Sequence, residues 1–476
     1  MDLLLYVVDA LRADHLSCYG YGRSTTPNID ALAEEGLLYR QCFTPATWTK
    51  PVSASVLTGA YPPTHGTRTR EDTFDADIRR LPELLAEEGY ETGGFSAMGN
   101  VSASIGYDRG FDAYYDLYKD PAIVERRATS SADSEELAHE TEGEIALPRA
   151  SDVRERLTDW VEATTGEFFA FCWSIDPHIP YDPPADFREF VDPAYAGSVN
   201  GQRETLPAVT TDEDLDHLKG LYDGEIRYSD HEFGQVVERL RKLGLYEETM
   251  IVLIGDHGDA FMEHGRLTHG HLPFEELIHV PCVIKPPASH DHNPRTIEET
   301  VALIDLVPTI LHAAGIDDRP ETIQGRSIPP YGPAGSSTPV YSETRSREIY
   351  PTFYSVRTDQ WKYMTVEEPD RTVRTLIETA KQVYRRGLIR DLLRHPRYYF
   401  DRYSHDEDEF LYDVAEDPEE RHNRIQDRSD IAAQLRNQLH EWVHEGESIH
   451  ESLASLENIR IDPETDEQLR QLGYVD

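Results

Sequence analysis

Leu3-Leu4-Leu5-Tyr6-Val7-Val8-Asp9 stands near the start of the chain, six apolar residues in succession closed by an acid. A strand with one wet face alternates, whereas an unbroken apolar run reads as a strand buried on both faces, as in a parallel sheet covered by helices. Phe168–Trp173 and Met250–Ile254 repeat the pattern. Each of the three runs is followed within a few positions by an acid: Asp9, Asp176 or Asp256. Ligands in open α/β sheets bind at the carboxyl ends of strands, so these acids point to one shared site. Amphipathic helical stretches fill the intervals. The expected fold is α/β, a large mixed but mostly parallel sheet sandwiched by helices.

A chain of 476 residues is too long for one compact core. After about residue 335 the apolar runs shorten and alternate, as in Phe353-Tyr354-Ser355-Val356-Arg357 and Trp361-Lys362-Tyr363-Met364. The expected division is a catalytic domain over 1–335 and a smaller C-terminal α+β domain over 336–476 with a short antiparallel sheet. Residues 120–151 and 182–216 are polar, acidic or Pro-rich and read as long surface loops. Residues 371–402 set Arg371, Arg374, Lys381, Arg385 and further arginines around an apolar stripe. Such a basic helical insertion packs on its own domain, on a second subunit as in a homo-oligomer, or peripherally on an anionic membrane surface.

Lys and Arg number 46 against 89 Asp and Glu, a formal charge of -43. A duplex needs a basic face to displace its counterions, which excludes nucleic acid as a partner. Acid spread over the whole chain suits a protein that stays soluble at very high salt, where screening removes self-repulsion, and a halophilic source is expected. Cys18, Cys42, Cys172 and Cys282 show no paired spacing and read as reduced core thiols. With no basic n-region and no long apolar span at its start, the chain is expected to be cytoplasmic.

Ile254-Gly255-Asp256-His257-Gly258-Asp259 sets a carboxylate beside an imidazole on a turn that ends a strand. Such a pair can ligate one cation together, and the following Gly lets the backbone bend to present both. By itself the triplet also reads as a simple turn. Asp9 ends a wholly apolar strand, where an acid is costly unless paired or metal-bound. Residues Thr47 to Gly59 (TWTKPVSASVLTG) read as a helix beginning near Pro51 and closed by Gly59, with Thr49 at or next to the N-cap. Unpaired N–H groups and the dipole at a helix mouth favour a phosphate or sulfate group, and a divalent ion beside Thr49 would make its hydroxyl a nucleophile. Taken alone, Thr before a helix is a cap.

Several stretches together carry a resemblance: Val7 to Gly20 (VVDALRADHLSCYG), Thr26-Pro27-Asn28-Ile29-Asp30, Ser55 to Gly66 (SVLTGAYPPTHG), Arg109-Gly110-Phe111-Asp112, Asp176-Pro177-His178, Gly255-Asp256-His257-Gly258, Glu263-His264-Gly265 and Phe410 to Pro418 (FLYDVAEDP). In this order and spacing the chain resembles the sulfatase family of the alkaline phosphatase superfamily over almost its whole length. The resemblance implies an alkaline phosphatase-like fold and a metal-dependent hydrolase or transferase of a sulfate or phosphate ester. In that family a Cys or Ser in a Cys-x-Pro-x-Arg setting becomes formylglycine. The matching position is Thr49, from which formylglycine cannot be made; Lys50 and Pro51 keep the register and Ser53 stands where the Arg would be. The acidic pair ending the first strand is reduced to Asp9, and Ser96-Ala97-Met98-Gly99-Asn100 replaces a Gly-Lys-x-His segment, leaving Asn100 as a neutral donor.

One acid on the first strand, a Thr and an Asp-His pair are similar to the phosphoglycerol and phosphoethanolamine transferases and to Thr-dependent phosphodiesterases, which work through a phospho-threonine. By that resemblance Asp9, Thr49, Asp256 and His257 would hold one divalent cation, calcium (Ca), magnesium (Mg) or manganese (Mn). His178 matches the family's substrate-binding His and would bind the anion or protonate the leaving oxygen. His269 stands roughly where the family has a substrate-contacting Lys, with His271 a near alternative, and Lys50 and Asn100 complete the substrate side. The substrate implied is a small anionic ester, glycan or lipid head group. Two alternatives stay open: a catalytically inactive relative that binds an anionic glycan or lipid head group, and a sulfatase working with unmodified Thr.

Overall fold

The computed structural model describes residues 1–125, 147–290, 292–335, 337–345, 351–368, 407–454 and 461–472. The basic segment 371–402 lies outside the described residues, and so do 126–146 of the first expected loop.

Eight strands form the main sheet: β1 (Asp2–Val8), β2 (Leu37–Phe43), β3 (Glu91–Ser96), β4 (Ala113–Asp116), β5 (Phe168–Ser174), β6 (Thr249–Gly255), β9 (Cys282–Lys285) and β10 (Arg295–Ala302), with a small hairpin, β7 (Ala260–Phe261) and β8 (Leu267–Thr268), between β6 and β9. Their order is β10-β2-β9-β6-β1-β5-β3-β4. Every strand but β9 runs the same way, so the sheet is mixed and mostly parallel. The three unbroken apolar runs are its centre, β6-β1-β5, and Leu3 to Val8 are buried throughout. Burial of each such side chain is worth about 1.5–3 kcal/mol, which is why alternation is absent there.

Helices cover the sheet in two groups. Pro27–Glu35 (α1) and Ala150–Ala163 (α3) each pack against Asp212–Leu243 (α4), while Thr49–Thr58 (α2), the short helix Leu81–Glu87 and Leu306–Ala313 (α5) form the second group. The expected loop 182–216 ends earlier, at Thr211, because Thr211 and Asp214 form a reciprocal capping box that starts α4. Acids occupy the first turn of α4 and Arg241 and Lys242 its last, the arrangement the helix dipole favours.

The second sheet is antiparallel, in the order β11 (Val340–Thr344), β12 (Thr352–Arg357), β13 (Trp361–Glu367), β14 (Glu409–Asp413). It shares a core with the first part of the chain: Phe43, Tyr61, Leu277 and Ile304 cluster with Tyr354, Val356, Tyr363, Leu411 and Trp442 of helix α6 (Ser429–Ser452). Helix α7 (Pro463–Gln471) returns to the large sheet, where Gln468 Nε2 donates to the Ala97 carbonyl at 3.0 Å and Leu469 enters the main core. Residue 335 thus marks a change of sheet within a continuous packing. Cys42, Cys172 and Cys282 are buried free thiols and Cys18 is half-buried. Among the described residues, no helix is long and apolar enough to cross a membrane.

Candidate active site

Strand register brings the first two acids together. β1 lies between β5 and β6, with Val8 paired to Ser174 on one side and Gly255 on the other, so Asp9 and Asp256 leave neighbouring strands at the same height. Ala10 then takes a left-handed backbone (φ 57°), and its N–H donates to Asp256 Oδ1 at 2.8 Å. The His257 N–H donates to the same oxygen at 2.7 Å. Asp9 Oδ2 accepts from Trp173 Nε1 at 3.0 Å. Each carboxylate is therefore held by one oxygen only; Asp9 Oδ1 and Asp256 Oδ2 are buried without a hydrogen-bond partner, in residues with no exposed surface.

His257 completes the group. Its Nδ1–H donates to the Gly258 carbonyl at 3.0 Å, which leaves the lone pair on Nε2. That nitrogen is 3.6 Å from Asp9 Oδ1 and 3.3 Å from Asp256 Oδ2. The ligand atoms of the three side chains lie within 4.8 Å of one another. Burial first and the Asp256 charge second push the Asp9 carboxyl well above its ordinary range; burial does the same to Asp256, against the N–H groups of Ala10 and His257. Two buried acids with one open oxygen each, beside the Nε2 of an imidazole, match the donor set of a divalent cation.

Thr49 reaches this group from α2. The helix begins at Thr49, with Trp48 as an extended N-cap, so Pro51 lies inside the first turn. Its Oγ1 is 3.3 Å from Asp9 Oδ2 and 3.5 Å from His257 Nε2. Gly59 closes the helix at φ 67°, where an added Cβ would meet Val307 Cβ at 3.0 Å. Lys50 is not brought along. Successive helix residues point about 100° apart, and its Nζ donates instead to the carbonyls of Arg70 (2.6 Å) and Asp72 (3.0 Å). Burial holds its pKa down, to about 8.

Asp176 corrects the reading of three converging acids. It follows Ser174 at a distance of two residues, accepts from the Ala150 N–H at 2.6 Å at the start of α3, and pairs with Arg149 Nε at 2.8 Å. It is a helix anchor. His178, two residues on, does face the group: its ring centroid is 5.0 Å from that of His269, which is 4.5 Å from that of His257. Of the two alternatives it is therefore His269 that joins the site, while His271 Nε2 donates to the Thr268 carbonyl at 3.0 Å. Asn100 lies on the turn after β3, against which α2 packs; it is buried and its Nδ2 has no hydrogen-bond partner.

Three contributors escape the sequence reading. Asp259 receives His269 Nδ1 at 2.6 Å on one oxygen and the Tyr181 hydroxyl at 2.5 Å on the other. The only available signal was its place on the Asp256 turn. Trp173 counted there as one more apolar strand residue, although its indole N–H orients Asp9.

The family model described as Sulfatase matches residues 2–316. A multifunctional alkaline phosphatase superfamily protein of Trinickia caryophylli is 25% identical over 427 residues, covering 73% of this chain and 81% of that protein. An arylsulfatase of Clostridium perfringens is 22% identical over 382 residues, 69% of this chain and 77% of that one. Among solved structures, the phosphonate monoester hydrolase of Agrobacterium radiobacter matches with a TM-score of 0.68 at 20% identity, over 94% of this chain and 96% of that chain. Its likeness is one of fold.

Proposed function

The chain belongs to the sulfatase family, and from that premise we propose that it is a divalent-metal-dependent hydrolase or transferase of a phosphate or sulfate ester, with Thr49 as the nucleophile. One observation carries the reading: the Thr49 hydroxyl lies 3.3 Å from Asp9 Oδ2 and 3.5 Å from His257 Nε2, beside two buried carboxylate oxygens that have no partner. Asp9, Asp256, His257 and the Thr49 hydroxyl would hold the cation, calcium, magnesium or manganese by the hardness of their atoms. When bound, it would supply Lewis-acid stabilisation to the nucleophile and to the charge on the ester's equatorial oxygens.

The protein's own groups do the rest. Asp9 Oδ2, 3.3 Å from Thr49 Oγ1, would take the Thr49 proton as Oγ1 attacks phosphorus or sulfur. His178 donates Nδ1–H to the Ile179 carbonyl at 2.7 Å, so Nε2 is its acid–base atom. Burial first, then His269, hold the His178 imidazole well below its ordinary pKa. An anionic ester offsets that desolvation, and a His178 protonated at Nε2 would then give its proton to the leaving oxygen. Asn100 Nδ2 offers a neutral donor to the anion.

The test is hydrolysis of 4-nitrophenyl phosphate, bis-4-nitrophenyl phosphate and 4-nitrophenyl sulfate at high salt, with and without added divalent metal. Thr49→Ala is expected to lower the metal-dependent rate on the order of 10³-fold or more. Equal rates for wild type and Thr49→Ala would overturn the assignment. The second reading, an inert relative that binds an anionic glycan or lipid head group, is favoured by the carbonyl-bound amine of Lys50 and the neutrality of Asn100, which leave the anion cradle short of fixed charge. Under that reading metal and sulfate bind while no ester is turned over.

A further inference from the structure

We propose that His269, oriented by Asp259 and Tyr181, is the general base that activates water to clear the group from Thr49; this rests on the nucleophile assignment above. A Thr ester carries no second hydroxyl through which it could collapse. Turnover therefore needs an outside nucleophile, and water near neutral pH needs a base.

The β7–β8 hairpin builds that base. Ala260 pairs with Thr268, which sets the preceding Asp259 opposite the following His269. Thr268 holds a left-handed backbone (φ 64°), a conformation that a β-branched residue keeps only where the surroundings enforce it. The strained residue is the one that delivers His269. Asp259 Oδ1 then accepts from His269 Nδ1 at 2.6 Å and Oδ2 from the Tyr181 hydroxyl at 2.5 Å. All three residues are buried, Asp259 completely. Unlike Asp9 and Asp256, Asp259 has both oxygens engaged within the protein, which marks it as an orienting group.

With Nδ1–H committed to a carboxylate, the imidazole carries its lone pair on Nε2. The ring lies against His257, whose own Nε2 is 3.5 Å from Thr49 Oγ1. A water O–H gives its proton to His269 Nε2, the water oxygen bonds to phosphorus or sulfur, and the bond to Thr49 Oγ1 breaks with its electron pair on Oγ1. The imidazolium returns the proton to Oγ1, restoring the hydroxyl. Asp259 stabilises the transient imidazolium from the other nitrogen and is a positioning residue.

Asp259→Asn separates this role from a structural one. An Asn can present its Nδ2–H₂ to His269 Nδ1, reversing the tautomer and taking the lone pair off Nε2. Rapid-quench kinetics with 4-nitrophenyl phosphate and metal should show a burst of one nitrophenol per site with little change in its rate. Steady-state turnover should fall on the order of 10²–10⁴-fold, and a phosphorylated Thr49 peptide should accumulate. His269→Ala should trap the same peptide, with added imidazole hastening its decay; this variant also serves if Asp259→Asn does not fold. Equal falls in burst and steady state with no adduct would overturn the proposal while leaving the Thr49 assignment intact. Absence of any Thr49-dependent turnover in the wild type would overturn both.

Discussion

Two regions of the molecule bury carboxylates, and they balance the charge differently. Beneath the small sheet, Glu275 lies 3.2 Å from both Arg357 Nε and Lys362 Nζ, and Lys362 Nζ also meets Glu420 at 2.7 Å. Against the upward push of burial, Arg357 and Lys362 hold Glu275 down at about 2; burial raises Glu420 to about 7 with Lys362 pulling against it. Two acids there face two cations of the chain. At the ends of β1 and β6, Asp9 and Asp256 are as deeply buried, and His257 Nε2 lies 3.6 Å from Asp9 Oδ1 and 3.3 Å from Asp256 Oδ2. Both are pushed up, and each keeps an oxygen without a partner. Buried like charges of this kind are costly until a cation arrives, so the cluster that the chain leaves unbalanced is the candidate ligand set, and the one that it balances serves as structure.

Opposite responses to charge removal would sharpen that contrast. The largest effect is expected from Lys362→Met, which strands Glu420 and leaves Glu275 to Arg357 alone: a loss of about 3–5 kcal/mol in urea unfolding. A loss under about 1 kcal/mol would erase the distinction. Next, a divalent cation at a hundredfold excess over its Kd should stabilise the wild type by about 2.7 kcal/mol, read as a rise in Tm, with no rise in Asp256→Asn. If calcium, magnesium and manganese all leave Tm unchanged, the unpartnered oxygens are not ligands. Asp9→Asn should then invert the usual sign of a core polar substitution. In chelator it removes one of two repelling buried charges and should stabilise by about 1–2 kcal/mol, whereas in saturating metal it should destabilise.

Asp305 is an intermediate case, a buried carboxylate satisfied by the N–H groups of Ala302 and Arg326 (2.9 and 2.8 Å) rather than by a full ion pair. Burial raises it to about 6. Between the unfolded value near 4 and that folded value the native state binds more protons, so stability is present below pH 4 and declines as pH rises through 6, by about 1 kcal/mol per pH unit at most. The difference in slope between wild type and Asp305→Asn over pH 4–6 measures this smallest effect. Equal slopes would show that the two hydrogen bonds neutralise the cost of burial.

Particular residues show how far the chain could be read directly. The centre of the sheet was legible because Leu3–Val8, Phe168–Trp173 and Met250–Ile254 lack alternation, and a strand's burial on two faces is written in its own residues. The Asp256–His257 pair and the helix that begins at Thr49 were legible from local signals: adjacent residues on a turn, and Pro and Gly at a helix's two ends. Asp176 was misread because the rule that acids end strands says nothing about where the chain turns next. Asp259 passed unseen because its partners, His269 and Tyr181, come from a hairpin and from a loop 78 residues away.

The amino-acid sequence by itself determined the elements, the acidic residues at their ends and the helix that carries Thr49, since periodicity and the Pro and Gly signals at helix ends act within a few residues. Which of those groups meet was decided by tertiary structure alone. The order β6-β1-β5 and its register unite Asp9 with Asp256, and the β7–β8 pairing selects His269 over His271 and gives it Asp259. Helix phase turns Lys50 away while Thr49 faces in. A metal site and a catalytic base require atoms within a few ångströms, and such proximity comes from strand pairing and packing between segments far apart in the chain.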